Sequence, residues 1–149
     1  MILDFIIRYK FITIPFISWV TAQALKFFFD YISTRQIDFR RLVGSGGMPS
    51  SHSALVVSLA TVVGISDGFE SAVFGLAIAF ALVVMYDAAG VRRATGKQAA
   101  ILNRMFHHGK DEFHFEEELK ELIGHTPVEV IAGALLGIAF GLFFMVVLV

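Results

Sequence analysis

The hydrophobic positions of this chain fall into four long blocks that polar stretches separate. The blocks span Phe11–Ile32, Ser53–Ile65, Ser71–Tyr86 and Val128–Val149. A transmembrane helix needs about 20 apolar residues to cross ~30 Å of hydrocarbon, and the last block alone reaches that length without interruption. The second must extend back through Ser50–His52, and the third must run on towards Gly90. Because an open chain satisfies its backbone polar groups inside a bilayer only as a helix, the pattern predicts an all-α, polytopic membrane bundle of about four transmembrane helices.

The longest polar stretch between blocks, 88–125, predicts a loop that contains a surface amphipathic helix. Within its acidic run His107–Lys120, apolar residues begin to recur at near-helical spacing, as in a helix that lies along a membrane surface. These apolar residues are Phe113, Phe115, Leu119 and Leu122. A metal cluster could be drawn from His107, His108, Asp111 and His114. A solvated charged face explains the same residues, so neither a metal nor another cofactor is expected.

Composition supports one integral membrane domain over 1–149. The chain has 149 residues, of which 56% are hydrophobic and 17% charged, and its mean hydropathy is +0.74. A soluble domain of this size has too little interior for so much apolar surface. The lack of cysteine excludes thiol catalysis and zinc–thiolate sites. A net charge of −1 gives no reason to expect a nucleic-acid partner.

The order of the blocks also predicts sidedness. If four helices cross in sequence, the loops 33–49 and 88–125 share one face, and the turn at 66–70 lies on the other. Every basic residue after Lys26 falls in those two loops. The positive-inside rule then places this face in the cytoplasm of a bacterial-type cell.

Glycines in the last block predict a close helix contact. Gly133, Gly137 and Gly141 recur at four-residue spacing and line one helix face, which lets another helix approach closely. The partner is either a neighbouring helix of the same chain or a second copy, so a homo-oligomer is one open outcome.

The stretch from Gly44 to His52 has the chemistry of a phosphate site. Glycines allow close backbone approach, and the start of a helix offers free N–H groups. Ser50 and Ser51 add hydroxyl donors, and His52 could donate a proton to a leaving oxygen. The alternative is a turn in which Ser50 simply caps the following helix.

A second candidate pair stands at the start of the last block. His125 and Glu129 are four residues apart, so the carboxylate could hold one imidazole nitrogen and leave the other as a nucleophile. The run from Thr126 to Glu129 is also a capping box with Pro127 at the first helical position. The two roles are compatible.

Three cations complete the candidate site. Arg92 and Arg93 follow the third block, where they could anchor the topology or bind a phosphate through paired N–H groups. Lys26 lies inside the first block, and a lysine at that depth marks a functional site by default. Its expected partner is Asp30, Asp87 or a bound phosphate.

Lysine, then Pro-Ser-x-His, then arginine, then His-x-x-x-acid, in this order, resembles the phosphatidic acid phosphatase type 2 (PAP2) superfamily. The phrases GGMPSSHSA, MYDAAGVRR, GKQAAILN and GHTPVEV look like its divergent bacterial and plant branch, over Thr21–Gly137. The resemblance implies a metal-independent membrane phosphatase for a lipid or isoprenoid phosphate or diphosphate. In such an enzyme a histidine attacks phosphorus, a phosphohistidine forms, and water releases inorganic phosphate.

By this resemblance His125 is the nucleophile, Glu129 its orienting acid and His52 the acid on the leaving alcohol. The residues expected to bind the substrate are Lys26, Ser50, Ser51, Arg92 and Arg93. The superfamily's Ser-Arg pair normally precedes the nucleophile by six residues, but Leu119 stands at that distance from His125. Either the motif is split, with the arginine supplied by the third helix, or the nucleophile is lost.

These alternatives lead to different functions. A split motif predicts a phosphatase whose partners are a phospholipid or polyprenyl phosphate substrate and the surrounding membrane lipids. A lost nucleophile predicts a catalytically inactive membrane protein that binds or moves anionic lipids. A purely structural subunit is the third hypothesis, in which neither His52 nor His125 affects any activity.

Overall fold

The computed structural model describes residues 2–36, 47–108, 119 and 123–148, and within these ranges every regular element is an α-helix. The elements are α1 (Ile2–Arg8), α2 (Lys10–Thr34), α3 (Ser51–Asp67), α4 (Ala72–Ala89), α5 (Val91–His108) and α6 (Pro127–Leu148). The four predicted blocks correspond to α2, α3, α4 and α6. Three of these, α2, α4 and α6, lie in helices long and apolar enough to cross a membrane, and α3 is a shorter apolar helix. The predicted all-α membrane bundle is confirmed.

The short helix α3 is the centre of the bundle and packs against α2, α4 and α6. It starts at Ser51, with the side chain of Ser50 as its N-cap. Its 17 residues rise only about 26 Å, less than the ~30 Å of a hydrocarbon core. The chain just before α3 contacts Lys26 through Gly47, and α2 continues from Lys26 to Thr34. The start of α3 is therefore recessed by about two helical turns, ~12 Å, from the end of α2.

The predicted glycine seam joins α6 to α3. A Cβ atom added at Gly137 would lie 2.6 Å from the carbonyl oxygen of Ala54, and one added at Gly141 would lie 2.7 Å from the Cβ of Thr61. Only glycine allows backbones this close, which is the usual reason for small residues at membrane helix contacts. The seam is thus occupied by a helix of the same chain.

Several hydroxyl groups of α2 donate to backbone carbonyls. The hydroxyl of Thr21 donates to the carbonyl of Ile17 at 2.9 Å, and that of Ser18 donates across to Ala54 in α3 at 3.2 Å. Such bonds remove the cost of placing a hydroxyl in hydrocarbon. They explain how the first block tolerates polar residues and still forms a span.

Large apolar side chains cover the outside of the bundle. Leu76 on α4 is 72% exposed and Val146 on α6 is 80% exposed. Many other valines, leucines and phenylalanines are similarly exposed, far beyond the apolar patches of a water-soluble monomer. This surface faces lipid, and the chain is an integral membrane protein.

The amphipathic helix of the described structure is α5, and it lies earlier in the chain than the run His107–Lys120 that the sequence predicts. It follows α4 directly after Gly90. Its inner face consists of Gly96, Ala99 and Asn103, which are small or polar and carry little hydropathy signal. The predicted stretch lies mostly outside the described residues, as do Asp111 and His114 of the considered metal cluster.

Candidate active site

The predicted site residues meet at one end of the bundle. Lys26 is near the end of α2, His52 is at the start of α3, Arg92 follows the end of α4, and His125 precedes α6. Two backbone hydrogen bonds tie these ends together. The N–H of Ser50 donates to the carbonyl of Glu129 at 3.0 Å, and the N–H of His125 donates to the carbonyl of Ala88 at 3.0 Å.

His125 is the floor of the site. Its side chain is only 2% exposed, and neither Nδ1 nor Nε2 has a hydrogen-bond partner among the described residues. The backbone reaches this buried position through Gly124. Its φ is +97°, and a Cβ there would lie 2.6 Å from the carbonyl carbon of Arg92. Any other residue would be strained and would push the loop away from α5.

Burial, followed by the positive charges of Lys26, His52 and Arg92, lowers the pKa of His125 to about 4 from its ordinary value of 6.5. All of these effects disfavour the imidazolium form. At neutral pH His125 is therefore a neutral imidazole, and one of its nitrogens has a free lone pair. That is the state a nucleophilic histidine requires.

His52 lies at the mouth of the same site. It is in the first turn of α3 and is exposed, whereas its neighbours Ser51 and Ser53 are buried. The ring centres of His52 and His125 are 6.3 Å apart, with the rings edge-on at 80°. The two imidazoles are close enough to act on opposite sides of one small group.

Lys26 is buried beside them, with 4% of its surface exposed. Its aliphatic stem runs against Gly47, where a Cβ would lie 3.0 Å from the Lys26 Cγ and where φ is +87°. The predicted partner Asp87 is paired elsewhere, with Arg92. The acidic residue whose charge acts on Lys26 is Glu129.

The two adjacent arginines are placed differently at the start of α5. Its Nε donates to Oδ2 of Asp87 at 2.6 Å, and its charge is among those that lower the pKa of His125. Arg93 is one residue further along α5, which turns its side chain by about 100°. It is not among the charges that act on His125.

Glu129 closes a capping box instead of holding His125. Its Oε2 accepts from the N–H of Thr126 at 2.9 Å, and its own N–H donates to the Thr126 hydroxyl at 3.3 Å. The expected hydrogen bond from the Nδ1–H of His125 to this carboxylate is therefore wrong for the described structure. The reason is local, because the reciprocal cap satisfies two free N–H groups at the start of α6.

Ser50 and Ser51 are buried at the start of α3. The Oγ of Ser50 accepts from the N–H of Ser53 at 3.4 Å and from its hydroxyl at 3.0 Å. The N-cap interpretation of Ser50 is thus confirmed. Direct contact of either hydroxyl with a substrate stays a prediction.

Comparison with known proteins agrees with this constellation. The family model described as the Divergent PAP2 family matches residues 7–140. The chain belongs to the divergent PAP2 family. It is also 40% identical over 131 residues to the uncharacterized membrane protein YuiD of Bacillus subtilis (strain 168), covering 80% of this chain and 83% of that protein. No solved structure matches the chain.

Membership confirms the family predicted from the motifs and identifies a phosphatase-related membrane protein. In this divergent PAP2 chain, two functional contacts have no simple sequence signal. Asp87 and Arg92 are five residues apart, a spacing that a straight helix does not pair, and the break at Gly90 brings them together. Asn103 exchanges two hydrogen bonds with the backbone of Leu119, at 2.8 Å and 3.0 Å, and so ties α5 to that residue.

Proposed function

We propose that this divergent PAP2 protein is a membrane phosphatase that hydrolyses a lipid or isoprenoid phosphate or diphosphate through a phosphohistidine on His125. The observation that carries the proposal is the buried imidazole of His125, neither nitrogen of which has a hydrogen-bond partner among the described residues. The positive charges of Lys26 and Arg92 act on this imidazole. Buried polar groups in native proteins are normally hydrogen-bonded, because leaving one unpaired is costly. An anionic group that fits beside His125 and these two cations is a phosphate.

The reaction follows from the placement of the two histidines. A ring nitrogen of His125 attacks phosphorus, and the N–P bond forms as the bond from phosphorus to the leaving oxygen breaks. Protonated His52, at the mouth, gives its proton to that oxygen. Water then attacks the phosphohistidine, the N–P bond breaks, inorganic phosphate leaves, and His52 regains a proton from the water.

Charge stabilisation comes from fixed groups around the phosphate. Lys26 lies buried on the α2 side and Arg92 on the α4–α5 side, so cations flank the group from two helices. Both oppose the negative charge that increases on the phosphoryl oxygens in the transition state. Their positions depend on packing and on Asp87, so little reorganisation is needed during the reaction.

An apolar groove beside Arg92 supports a lipid substrate. The groove is shallow and open to the outside, with a volume of about 700 Å³, and its lining comes from α4 and the first residue of α5: Leu82, Val83, Met85, Tyr86, Asp87 and Val91. Asp87 both lines the groove and holds Arg92. A hydrocarbon chain can therefore lie along α4 while its phosphate reaches the arginine.

Binding of an anionic lipid without hydrolysis is the second candidate function. The observation that favours it is the capping box, which occupies Glu129 and leaves Nδ1 of His125 without an orienting acid. A catalytic histidine is usually held by such a partner. The cationic pocket would still bind a phosphate group under this alternative.

Phosphate release from purified protein tests the proposal. Phosphatidic acid, phosphatidylglycerophosphate and undecaprenyl diphosphate are offered to the wild type, to His125→Asn and to the matched control His108→Asn on α5. We expect His125→Asn to lower release at least ~10³-fold and His108→Asn to leave it unchanged. An acid-labile phosphoprotein should form from labelled substrate in the wild type and in His108→Asn, but not in His125→Asn. Unchanged release by His125→Asn contradicts the mechanism, and retained lipid binding without any release favours the second function.

The proposed acid role of His52 has its own signature. His52→Asn should slow release from an alkyl phosphate by about 10²–10⁴-fold, the range for a lost general acid. An aryl phosphate, whose leaving group needs no proton, should be affected much less. Equal losses for both substrates would show that His52 does not protonate the leaving oxygen.

A further inference from the structure

The side chains of α5 form three rows along the helix, one buried and two exposed. Consecutive helical residues are turned by about 100°, so residues three, four or seven apart share a row. Gly96, Ala99 and Asn103 form the buried row that faces the protein. The remaining surface of the helix is exposed and divides into a basic row and an apolar row.

The basic row consists of Arg93, Lys97 and Arg104. All three are exposed, and α5 contains no aspartate or glutamate. None of the described residues forms an ion pair with them, in contrast to Arg92, which pairs with Asp87. Within the described part of the chain, this row is a strip of positive charge without an acidic partner.

The apolar row lies on the other side of the exposed surface. Val91, Ile101, Leu102 and Met105 form it, and each is exposed in spite of its hydrophobic side chain. No described helix other than α4 packs substantially on α5. The row is thus an apolar face that continues directly from the lipid-facing surface of α4.

The position of α5 in the chain indicates that its basic and apolar rows face the membrane surface. The helical stretch Ala72–Met105, which is long and apolar enough to cross a membrane, contains α4 and most of α5. Its first charged residue is Asp87, near the end of α4, and Arg92 and Arg93 follow at the start of α5, so the first turn of α5 lies at the membrane boundary. A helix with a basic strip beside an apolar face lies in the plane of a membrane surface, its apolar side chains in the acyl region and its cations among head groups. Anionic head groups attract each such cation.

We propose that α5 binds an anionic lipid surface through Arg93, Lys97 and Arg104, with Ile101, Leu102 and Met105 inserted beneath the head groups. This interaction is independent of the phosphatase chemistry, since none of these six residues contacts the two histidines in the described structure. It does have a consequence for the site. Arg92 lies in the first turn of the same helix, so a surface-bound α5 holds that arginine beside His125.

Lipid quenching of a label on α5 tests the proposal without any substrate. The chain has no cysteine, so Met105→Cys can carry a single bimane label in the full-length protein. The protein is reconstituted in phosphatidylcholine vesicles with or without phosphatidylglycerol, and doxyl-labelled lipid serves as the quencher. We expect stronger quenching when phosphatidylglycerol is present, and loss of this difference at high salt.

Paired charge variants identify the residues responsible. Lys97→Gln with Arg104→Gln should shift the equilibrium away from the surface-bound helix by roughly fivefold for each charge removed. The matched control is Arg8→Gln with Lys10→Gln. It removes two cations at the end of α1 and the start of α2, and it should not change the quenching. Charge reversal, Lys97→Glu with Arg104→Glu, should abolish the phosphatidylglycerol dependence.

Three results would overturn the proposal. Quenching could be the same in both vesicle types, the two double-glutamine variants could behave alike, or inorganic phosphate added to phosphatidylcholine vesicles could reproduce the effect. The last result would indicate a site for a free anion. Because bimane quenching needs no turnover, a protein that releases no phosphate can still satisfy this test.

Discussion

The candidate site is built from two regions whose helices are packed differently. One is the contact between α3 and α6, the α3–α6 seam, and the other is the pair of consecutive helices α4 and α5, the α4–α5 arm. In the seam, three glycines of α6 place its backbone against α3, and the contact surface is made of small buried residues. In the arm, α4 has few buried residues, and α5 is exposed along most of its surface. His52 and His125 depend on the seam, whereas Arg92 is supplied by the arm.

Because of this difference in packing, the seam is the rigid part of the site and the arm is the adjustable part. Close-packed backbones leave no room for a side chain, so the relative position of the two histidines is determined by the glycine contacts. The arm is joined to the site by the hydrogen bond from the N–H of His125 to the carbonyl of Ala88, and the Asp87–Arg92 pair lies within the arm itself. We therefore expect substitutions in the seam to affect folding and substitutions in the arm to affect activity.

The largest expected effect is a substitution in the seam. Gly137→Leu would place a side chain 2.6 Å from a backbone oxygen of α3, and neither backbone can move without separating the helices. We expect a loss of stability of at least about 3 kcal/mol, the upper end for overpacking, seen as loss of monodisperse, heat-stable protein in detergent. Gly75→Leu is the control, because a Cβ there meets nothing within 4 Å. Equal behaviour of the two variants would show that the seam does not hold the bundle together.

The next effect distinguishes the two arginines of the arm. Arg92→Gln should lower kcat/KM for a lipid phosphate by about 10²–10³-fold, as expected for losing a group that stabilises transition-state charge. Arg93→Gln should lower it only a few-fold, because Arg93 is not among the charges that act on His125. Both variants should keep the thermal stability of the wild type. If Arg93→Gln is the more damaging of the two, the assignment of Arg92 to the site is wrong.

A smaller effect concerns pH and the floor of the site. With the pKa of His125 lowered from 6.5 to about 4, the unfolded chain binds a proton in this interval and the folded chain does not. The contribution to stability is complete above pH 6.5 and is lost as pH falls to about 4, by up to about 3 kcal/mol. We expect the thermal midpoint of the wild type to fall through this window more steeply than that of His125→Asn. Parallel curves for the two proteins would show that His125 titrates normally.

The same shift predicts the acid limb of activity. If neutral His125 attacks phosphorus, kcat/KM reports its protonation in the free enzyme, and the limb should lie near pH 4. A limb at the ordinary histidine value would indicate that another group controls the reaction.

The smallest expected effect is on the ion pair that positions Arg92. The Asp87 and Arg92 side chains are 40% and 47% exposed, and pairs this accessible contribute at most about 1 kcal/mol. Asp87→Asn should therefore lower kcat/KM by no more than about fivefold, mainly through KM, and Asp87→Glu should restore part of it. A loss as large as that of Arg92→Gln would mean that Asp87 itself takes part in the chemistry.

Much of the fold follows from hydropathy along the chain. The spans predicted at Phe11–Ile32 and Val128–Val149 agree with α2 and α6, and the second block extends back to Ser51 as its length required. The amphipathic helix α5 was not predicted because its buried row is built from glycine, alanine and asparagine, whose hydropathy does not mark a core face. The amphipathic helix predicted from Phe113 to Leu122 lies mostly outside the described residues and stays a prediction. Sequence periodicity detects large apolar side chains, and α5 uses small ones.

The site divides in the same way. The histidines, the lysine and the arginine pair were predicted from motif order, and the structure brings His52, His125, Lys26 and Arg92 together. The partner of each group could not be predicted. Glu129 has two acceptable partners within four residues, and in the structure its carboxylate accepts from the N–H of Thr126. Asp87 finds Arg92 only because the helix breaks between them.

The sequence by itself determines that the chain lies in a membrane, where its spanning helices are and which family it belongs to. The first two depend on hydropathy summed over about twenty residues, and the family depends on the order of several motifs. The tertiary structure alone decides which arginine faces the site, which helix fills the glycine seam and whether Glu129 reaches His125. These outcomes depend on the distances between the helix ends. Such distances are determined by the packing of α3 against its neighbours, which no single segment of the chain specifies.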